Sequence, residues 1–188
     1  MDFSEASRRF LHYLSVAKGV SEHTVRAYGI DLCSFLNFAK GEEKALDLGS
    51  ISKRLIRRFL SHLYEMQVGA RTVLRRLSAL RSFFKYAMKE NLVSENPLEE
   101  IESPKKEKKL PISITYEQVQ HLFNQPDVSV LIGFRDRVIM ELFYSSGLRL
   151  SELVGLNRRD FDAKHRILII FGKGKKQRQT PITETAPV

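Results

Sequence analysis

Cysteine and long apolar runs are both scarce in this 188-residue sequence, and each scarcity excludes a class of protein. Cys33 is the only cysteine, so the chain can form neither an internal disulfide nor a cluster of thiolate ligands for a metal. It lies in an apolar helical stretch, which predicts a small core residue. No run approaches the roughly 18 consecutive apolar residues of a membrane span, and the first residues lack the apolar core of a signal peptide. We therefore expect a globular protein of the cytoplasm.

Acidic residues are scarce in one particular segment of the chain. The sequence carries a net charge of +9 and has a pI near 9.7. Within residues 53–89 a single acidic residue, Glu65, stands among ten cations: Lys53, Arg54, Arg57, Arg58, Arg71, Arg75, Arg76, Arg81, Lys85 and Lys89. Elsewhere the charges balance, so the whole excess lies in this segment. Such a concentration of positive charge indicates a polyanionic partner.

The first hundred residues predict four helices, from the spacing of their apolar residues and from their capping residues. The predicted N-caps are Asp2 or Ser4 for the first helix, Ser21 for the second, and Ser50 or Ser52 for the third. The first helix should run to about Ala17, the second should stop at Gly41, and the fourth should cover roughly residues 70–90. This half of the chain is therefore predicted to be all helical.

The fourth predicted helix has two distinct sides. Its apolar side consists of Val73, Leu77, Leu80, Phe84 and Ala87. Its polar side consists of Arg71, Arg75, Ser78, Ser82, Lys85 and Lys89; this helix, roughly residues 70–90, is labelled α4, and its polar side is called the α4 stripe. Cations and small hydroxyls in such a row can lie along phosphates or enter a major groove. The alternative is an ordinary solvated face, but such faces usually include glutamates and this one has none.

The second half of the sequence predicts a different, α+β unit. Asn96-Pro97 ends the helical part, and residues 103–111 form an extended, charged linker between a domain of residues 1–102 and one of residues 112–188. Thr115 and Gln118 predict a capping box for a short helix over 116–123. A strand over 166–171, a glycine-bearing turn and a returning strand over 177–182 predict a β-hairpin.

The stretch around Gly147 contains the candidate anion site. An apolar helix with Val138, Ile139, Leu142 and Phe143 on one face should end at Ser145-Ser146-Gly147, because glycine accepts the left-handed conformation. Arg149 then begins a second short helix, where an arginine can hold an anionic oxygen. Glu152 lies one turn later, so a plain surface ion pair remains the alternative. Lys173, between two glycines at the hairpin tip, can extend into a ligand or simply belong to a polar turn.

These segments together resemble the tyrosine recombinase (phage integrase) family. YSSGLRLSELVGL followed by FGKGKKQRQTPI resembles the start of its catalytic domain. In the first half, HTVRAYGIDLCSFLNF, RRLSALRSFFKYA, ENP and SPKKEKKLP resemble the core-binding domain and linker of the Xer type, closest to its XerC branch. The resemblance implies a mostly α, SAM-like four-helix core-binding domain followed by the beginning of an α+β catalytic domain. It also implies a C-shaped clamp around double-stranded DNA.

The family's chemistry implies roles for particular residues. A tyrosine attacks the scissile phosphate and leaves a 3′-phosphotyrosyl link and a free 5′-hydroxyl, without a metal or other cofactor. Arg149 matches the first catalytic arginine, Lys173 matches the hairpin lysine that protonates the leaving oxygen, and Glu152 matches an acidic helper that orients the site. Lys173 is preferred to Lys175 and Lys176 because it holds the motif position. The α4 stripe would contact DNA.

The sequence departs from the family in lacking its later motifs. No His-x-x-Arg motif follows Lys173, and all six tyrosines precede Arg149. His23-Thr24-Val25-Arg26 matches the His-x-x-Arg pattern but lies in the second predicted helix. We interpret its His23 and Arg26 as a groove-facing or solvated pair. We therefore expect an N-terminal piece of a recombinase that does not cleave DNA by itself.

The Xer resemblance implies a biological role in chromosome partition and cell division. Such a protein resolves chromosome or plasmid dimers with a second Xer-type recombinase, in a tetrameric synapse that passes through a Holliday junction. A septal DNA translocase is a further implied partner. Two alternatives remain: a transposon or phage integrase of the same superfamily, and a catalytically inactive DNA-binding or regulatory relative.

Overall fold

The computed structural model describes residues 1–41, 46–104, 112–172 and 177–182, and the chain divides into two compact units, Met1–Lys109 and Leu110–Val188. The helices of the first unit are α1 Phe3–Val16, α2 Glu22–Lys40, α3 Lys53–Glu65 and α4 Ala70–Lys89. The second unit contains α5 Tyr116–Phe123, α6 Leu131–Ser146, α7 Leu150–Val154, β1 Phe161–Asp162, β2 Ile167–Phe171 and β3 Gln177–Pro181. The predicted fold class is confirmed. The domain limits at residues 102 and 112 stay a prediction, and residues 105–111 of the linker lie outside the described residues.

Local capping determines where the helices of the first unit begin. The Asp2 carboxylate accepts the Ser4 amide at 2.8 Å, the Ser21 hydroxyl accepts the Thr24 amide at 3.4 Å, and the Ser52 hydroxyl accepts the Leu55 amide at 3.3 Å. Of each predicted pair of caps, the structure therefore selects Asp2 and Ser52. The capping box of α5 is also present, with both Thr115–Gln118 bonds formed.

Helix α4 is the central helix of the first core. All five residues of its predicted apolar side are fully buried, and so are Ala79 and Phe83 on either side of it. The Phe83 ring meets Phe3 and Phe10 of α1 edge-on, at centroid distances of 5.0 and 5.6 Å. The buried residues therefore lie along one side of α4, and the opposite side carries the polar residues.

Cys33 was wrongly predicted as a core residue. Its side chain is exposed on α2, because the buried positions of that helix, Leu32 and Phe35, turn another face to the core. A cysteine in an apolar stretch gives no information about which side of the helix it occupies.

In the second unit a glycine corner and a small sheet bring the candidate site together. Gly147 is left-handed, with φ 58° and ψ 35°, and its amide donates to the Phe143 carbonyl at 3.0 Å. The sheet is antiparallel in the order β1-β2-β3, and its core consists of Leu148, Leu168, Ile170 and Ile182. The predicted hairpin is thus present, while the two-residue β1 was not predicted.

The apolar side of α6 is only partly covered. Val138, Ile139, Leu142 and Phe143 are half-buried, and several apolar side chains nearby in sequence are largely exposed: Leu131, Ile132, Leu150, Val154 and Phe171. No helix among the described residues is both long enough and apolar enough to span a membrane.

Candidate nucleic-acid interface and anion site

The α4 stripe lies on the side of α4 that is next to α2. Arg71, Arg75, Ser78, Lys85 and Lys89 are exposed, and Ser82 is half-buried. Arg75, near the start of α4, reaches Asp31 and Ala27 in the middle of α2. At the other end of α4, Ser82, Lys85 and Lys89 line a cleft that also includes residues of α1 and of the beginning of α2. The stripe is therefore part of a surface shared by two helices.

Asp31 is the acidic partner that the α4 sequence lacks. Its side chain is fully buried and accepts a hydrogen bond from Arg75, while Arg76 Nε lies 3.8 Å from its other oxygen. Burial raises the pKa of the Asp31 carboxyl, and the two arginines act against that rise. A buried carboxylate needs such partners, since an isolated charge is costly in the interior. Asp31 therefore fixes one end of the Arg75 guanidinium and leaves the side chain 43% exposed.

Sequence reasoning missed Asp31, because its partners are more than forty residues away. One signal was available: Asp31 lies four residues before Phe35, an apolar position of α2 that is buried in the structure, so the two share one face of the helix. A charged residue on the core face of a helix predicts a paired charge, although it does not identify the partner.

The second site is built around the Glu152 carboxylate. Arg149 precedes α7, and Glu152 in the first turn of α7 accepts the Arg149 amide at 2.8 Å and Arg149 Nη1 at 2.9 Å. Arg178 in β3 donates to both oxygens of the same carboxylate, at 2.8 and 2.9 Å. The Glu152 side chain is only 4% exposed, so its charge is satisfied almost entirely by these donors.

The donors keep Glu152 ionised. The Arg178 hydrogen bonds, followed by the Arg149 amide, lower the pKa of Glu152 to about 2. The same contact raises the pKa of Arg178. Two guanidinium groups thus share one carboxylate, which leaves a net positive charge at this point.

Arg149 has the exposure that an anion-binding residue requires. Its side chain is 72% exposed and uses Nη1 on Glu152. A guanidinium has five N–H donors in a planar fork, so most of them remain directed to solvent. The geometry can hold two oxygens of a phosphate while Glu152 fixes the orientation of the arginine. The predicted pairing of Arg149 with Glu152 is present, and it leaves other N–H donors of the Arg149 guanidinium available to a ligand.

Lys173 lies outside the described residues, together with the rest of the segment 173–176. The strands on either side are described: β2 ends at Phe171, and β3 begins opposite it at Gln177. His23 and Arg26 are exposed on α2 of the first unit.

Arg178 was not singled out from the sequence, although alternation along β3 could have found it. Arg178 pairs with Ile170 and Thr180 pairs with Leu168, so both lie on the face of the buried β2 residues. A cation on the core face of a strand requires a carboxylate nearby.

Two family models match the chain. "Phage integrase, N-terminal SAM-like domain" matches residues 8–91, and "Phage integrase family" matches residues 113–187. Together they leave unmatched only residues 1–7, 92–112 and 188. The matches thus fall one on each compact unit.

Two XerC tyrosine recombinases are similar to this chain over almost its whole length. Tyrosine recombinase XerC of Chlamydia muridarum is 43% identical over 94% of this chain and 62% of its own length. Tyrosine recombinase XerC of Syntrophus aciditrophicus is 36% identical over 97% of this chain and 61% of its own length. The chain therefore spans less than two thirds of these relatives.

Solved structures agree in fold. A lambda integrase (75–356) dimer bound to a COC′ core site superposes with a TM-score of 0.76 at 18% identity, covering 96% of this chain and 62% of that one. The Tn1549 transposon integrase in complex with circular intermediate DNA gives 0.71 at 16% identity, covering 98% and 61%. At such low identity the likeness concerns the fold alone.

Proposed function

Because the chain belongs to the phage integrase family and is XerC-like, we propose that the whole protein is a site-specific tyrosine recombinase. It would cut and rejoin double-stranded DNA through a 3′-phosphotyrosyl intermediate. The observation that carries this proposal is the exposed Arg149 guanidinium held on a buried, ionised Glu152. An oriented arginine with free donors suits a phosphate whose charge grows during the reaction.

Arg149 acts in this proposal as the donor to the non-bridging oxygens of the scissile phosphate. Glu152 keeps the guanidinium in place, and Arg178 keeps Glu152 ionised, so that the arginine does not have to reorient when charge develops. Preorganised donors of this kind are typically worth about 10²–10³ in rate. Lys173, which lies between β2 and β3 in the sequence, supplies the proton to the leaving 5′-oxygen. Arginines and a lysine perform the electrostatic work, and the scheme requires no metal or other cofactor.

The nucleophile is assigned to the part of the whole protein that this chain does not span. Every tyrosine of the chain precedes Arg149, and Tyr144 in α6 packs its ring against Phe123 at 5.7 Å. The named relatives are longer than this chain. Their additional length leaves room for the His-x-x-Arg motif and the attacking tyrosine.

The α4 stripe supplies the DNA-binding surface. Its cations approach phosphates, and its two serines are small enough to let a groove edge come close. Asp31 holds Arg75 at the α2 side of this surface, so that the arginine is presented in one orientation. The concentration of the net charge in residues 53–89 supports this placement.

We place the protein in the cytoplasm and in chromosome partition at cell division. Its partners would be a second Xer-type recombinase in a tetrameric synapse and a septal DNA translocase. The support is the naming of the relatives as XerC and the fold shared with a lambda integrase tetramer bound to a Holliday junction, at a TM-score of 0.75. A transposon or phage integrase is the competing assignment within the same chemistry.

Covalent adduct formation by the full-length protein tests the proposal. On a duplex nicked near the cleavage point, the unaltered protein should accumulate a phosphotyrosyl adduct, and Arg149→Ala should reduce it by at least a hundredfold. Arg135→Ala is the matched control, since it removes an exposed arginine that pairs with Asp136 in α6. Adducts that persist in Arg149→Ala would refute the role of Arg149. Duplex binding without any adduct would favour a regulatory relative.

A further inference from the structure

A cleft between α1, α2 and the last turns of α4 has the composition of an anion-binding site. Its volume is about 500 Å³, within the range of small-ligand pockets. Among the described residues that line it, three are lysines, Lys18, Lys85 and Lys89, and none is acidic. The cleft therefore concentrates positive charge within a concave surface.

The lysines are available to a ligand. The ammonium groups of Lys18 and Lys85 form no ion pair or hydrogen bond with any residue that the structure describes. Lys89 Nζ lies 5.4 Å from the centre of the Tyr13 ring, which orients the ammonium group without neutralising it. Glu90 is near Tyr86, but Arg9 acts on the same tyrosine with the opposite sign. The local charge thus stays positive.

Aromatic rings and hydroxyls form the rest of the lining. The Tyr13 and Tyr86 rings are 5.0 Å apart, and Tyr28 stacks on Phe10 at 6.3 Å. The Tyr86 hydroxyl can donate a hydrogen bond, and burial raises the pKa of this side chain. Ring faces suit a sugar or base, while hydroxyls and ammonium groups suit a phosphate.

The cleft is continuous with the α4 stripe. Ser82, Lys85 and Lys89 belong to both, while Lys18 and Tyr28 belong to the cleft alone. A DNA strand that follows the α4 stripe from Arg71 towards Lys89 therefore passes from an open surface into this cleft.

We propose that this cleft binds one backbone phosphate of the duplex, with the attached sugar against the tyrosine rings. This inference rests on the proposed DNA binding by the α4 stripe. It adds a discrete anchoring site that includes residues outside α4, and it makes Lys18 and Tyr28 contribute to DNA affinity.

The first test compares single substitutions outside α4 in this chain. Lys18→Ala should weaken duplex binding several-fold and reduce the slope of log affinity against log salt by about one. Tyr28→Phe, which keeps the ring and removes the hydroxyl, should weaken it by a smaller factor. Lys40→Ala is the matched control: it removes the same charge from the last turn of α2, away from the cleft. If Lys18→Ala and Lys40→Ala behave alike, the cleft is not a phosphate site.

A second measurement needs no substitution and so does not depend on folding of a variant. Acetylation of lysines in the unaltered chain, read by mass spectrometry, should be suppressed by duplex DNA at Lys18, Lys85 and Lys89 and unchanged at Lys40. Equal acetylation of Lys18 with and without DNA would overturn the proposal.

Control ligands show whether the cleft binds the DNA backbone or any small phosphate. They also separate failure of the cleft proposal from failure of the proposed function. Inorganic phosphate and a deoxynucleoside monophosphate should protect Lys18 only at much higher concentrations than duplex DNA. If they protect as well as DNA does, the cleft is a small-anion site and the backbone assignment is wrong. If DNA binds and Arg71→Ala weakens binding while Lys18 stays unprotected, the cleft fails and the stripe stands. If no duplex binds, the proposed function fails as well.

Discussion

At the scale of single residues, Glu152 has the most consequential environment. Four donors converge on its carboxylate, two from Arg149 and two from Arg178, and they lower its pKa to about 2. A carboxyl with a lowered pKa stabilises the fold at pH values above its unfolded-state pKa. This stabilisation is lost as the pH falls through the folded-state value.

The pH dependence of unfolding follows from that shift. Between pH 7 and about pH 4.5 the contribution of Glu152 should be constant, and it should decline from there towards pH 2. Glu152→Gln lacks the carboxylate charge, so its thermal midpoint should already be lower than that of the unaltered chain at pH 7. Because glutamine does not titrate and Glu152 becomes protonated in acid, the difference between the two midpoints should shrink as the pH falls. Calorimetry of both proteins across this range measures it. A difference that stays constant from pH 7 to 2 would contradict the ionised pair.

Asp31 allows a prediction whose sign is opposite to that of simple electrostatics. Asp31→Asn removes a negative charge from a DNA-binding surface, so charge alone predicts tighter binding. Because Asp31 positions Arg75, we expect duplex affinity to fall several-fold instead. Glu65→Gln is the control, since it removes an exposed negative charge from the same basic segment and should raise affinity slightly. Equal gains for both variants would show that the position of Arg75 does not matter.

At the scale of helices and strands, α4 combines the core and the proposed interface in one element. Its buried residues lie along one side and pack into the first core, so the α4 stripe on the other side is carried by a well-packed helix. A cationic row on a rigid helix loses little conformational freedom when it binds, which favours affinity per contact.

The stripe can be tested by removing two of its cations together. Arg71→Ala with Arg75→Ala should weaken duplex binding for all sequences and lower the salt slope by about two. The control is the double variant Arg8→Ala and Lys40→Ala, which removes equal charge from α1, where Arg8 pairs with Glu5, and from the last turn of α2. Affinity should be measured at several salt concentrations. An unchanged slope in the stripe variant would exclude α4 from the interface.

The elements themselves were predicted well where the signal is local. Asp2, Ser21, Ser52 and the Thr115–Gln118 box act within one turn of chain, so helix starts follow from sequence. Contacts between side chains that are far apart in the sequence could not be predicted in this way. Which side of α2 faces the core, and hence the exposure of Cys33, depends on packing against other helices. Arg178 and Asp31 have partners 26 and more than 40 residues away. The strand β1 contains only two residues, too few for a period to be recognised.

At the scale of the whole molecule, binding and cleavage are expected to separate. The excess of positive charge and the stripe belong to the first unit, and Arg149, Glu152 and Arg178 belong to the second. Neither unit contains a tyrosine after Arg149. A basic surface suffices for affinity, whereas cleavage also requires a nucleophile.

This chain should therefore bind duplex DNA and form no covalent adduct with it. Gel-shift titration measures the binding, and denaturing electrophoresis after incubation with a nicked duplex detects an adduct. A longer protein that includes the tyrosine is the positive control for the substrate. An adduct formed by this chain itself would require one of its six tyrosines to attack, and the proposed placement of the nucleophile would be wrong.

The bidentate contact between Arg178 and Glu152 also limits how this sequence can vary. One carboxylate spans the gap between the start of α7 and the strand β3, with every bond near 2.9 Å. An aspartate at this position would keep the charge but would be shorter by one methylene group. It could then reach the amide and side chain of Arg149 or the fork of Arg178, but not both. The length of the side chain therefore constrains position 152 as strictly as its charge does. Only a glutamate can contact both Arg149 at the start of α7 and Arg178 in β3.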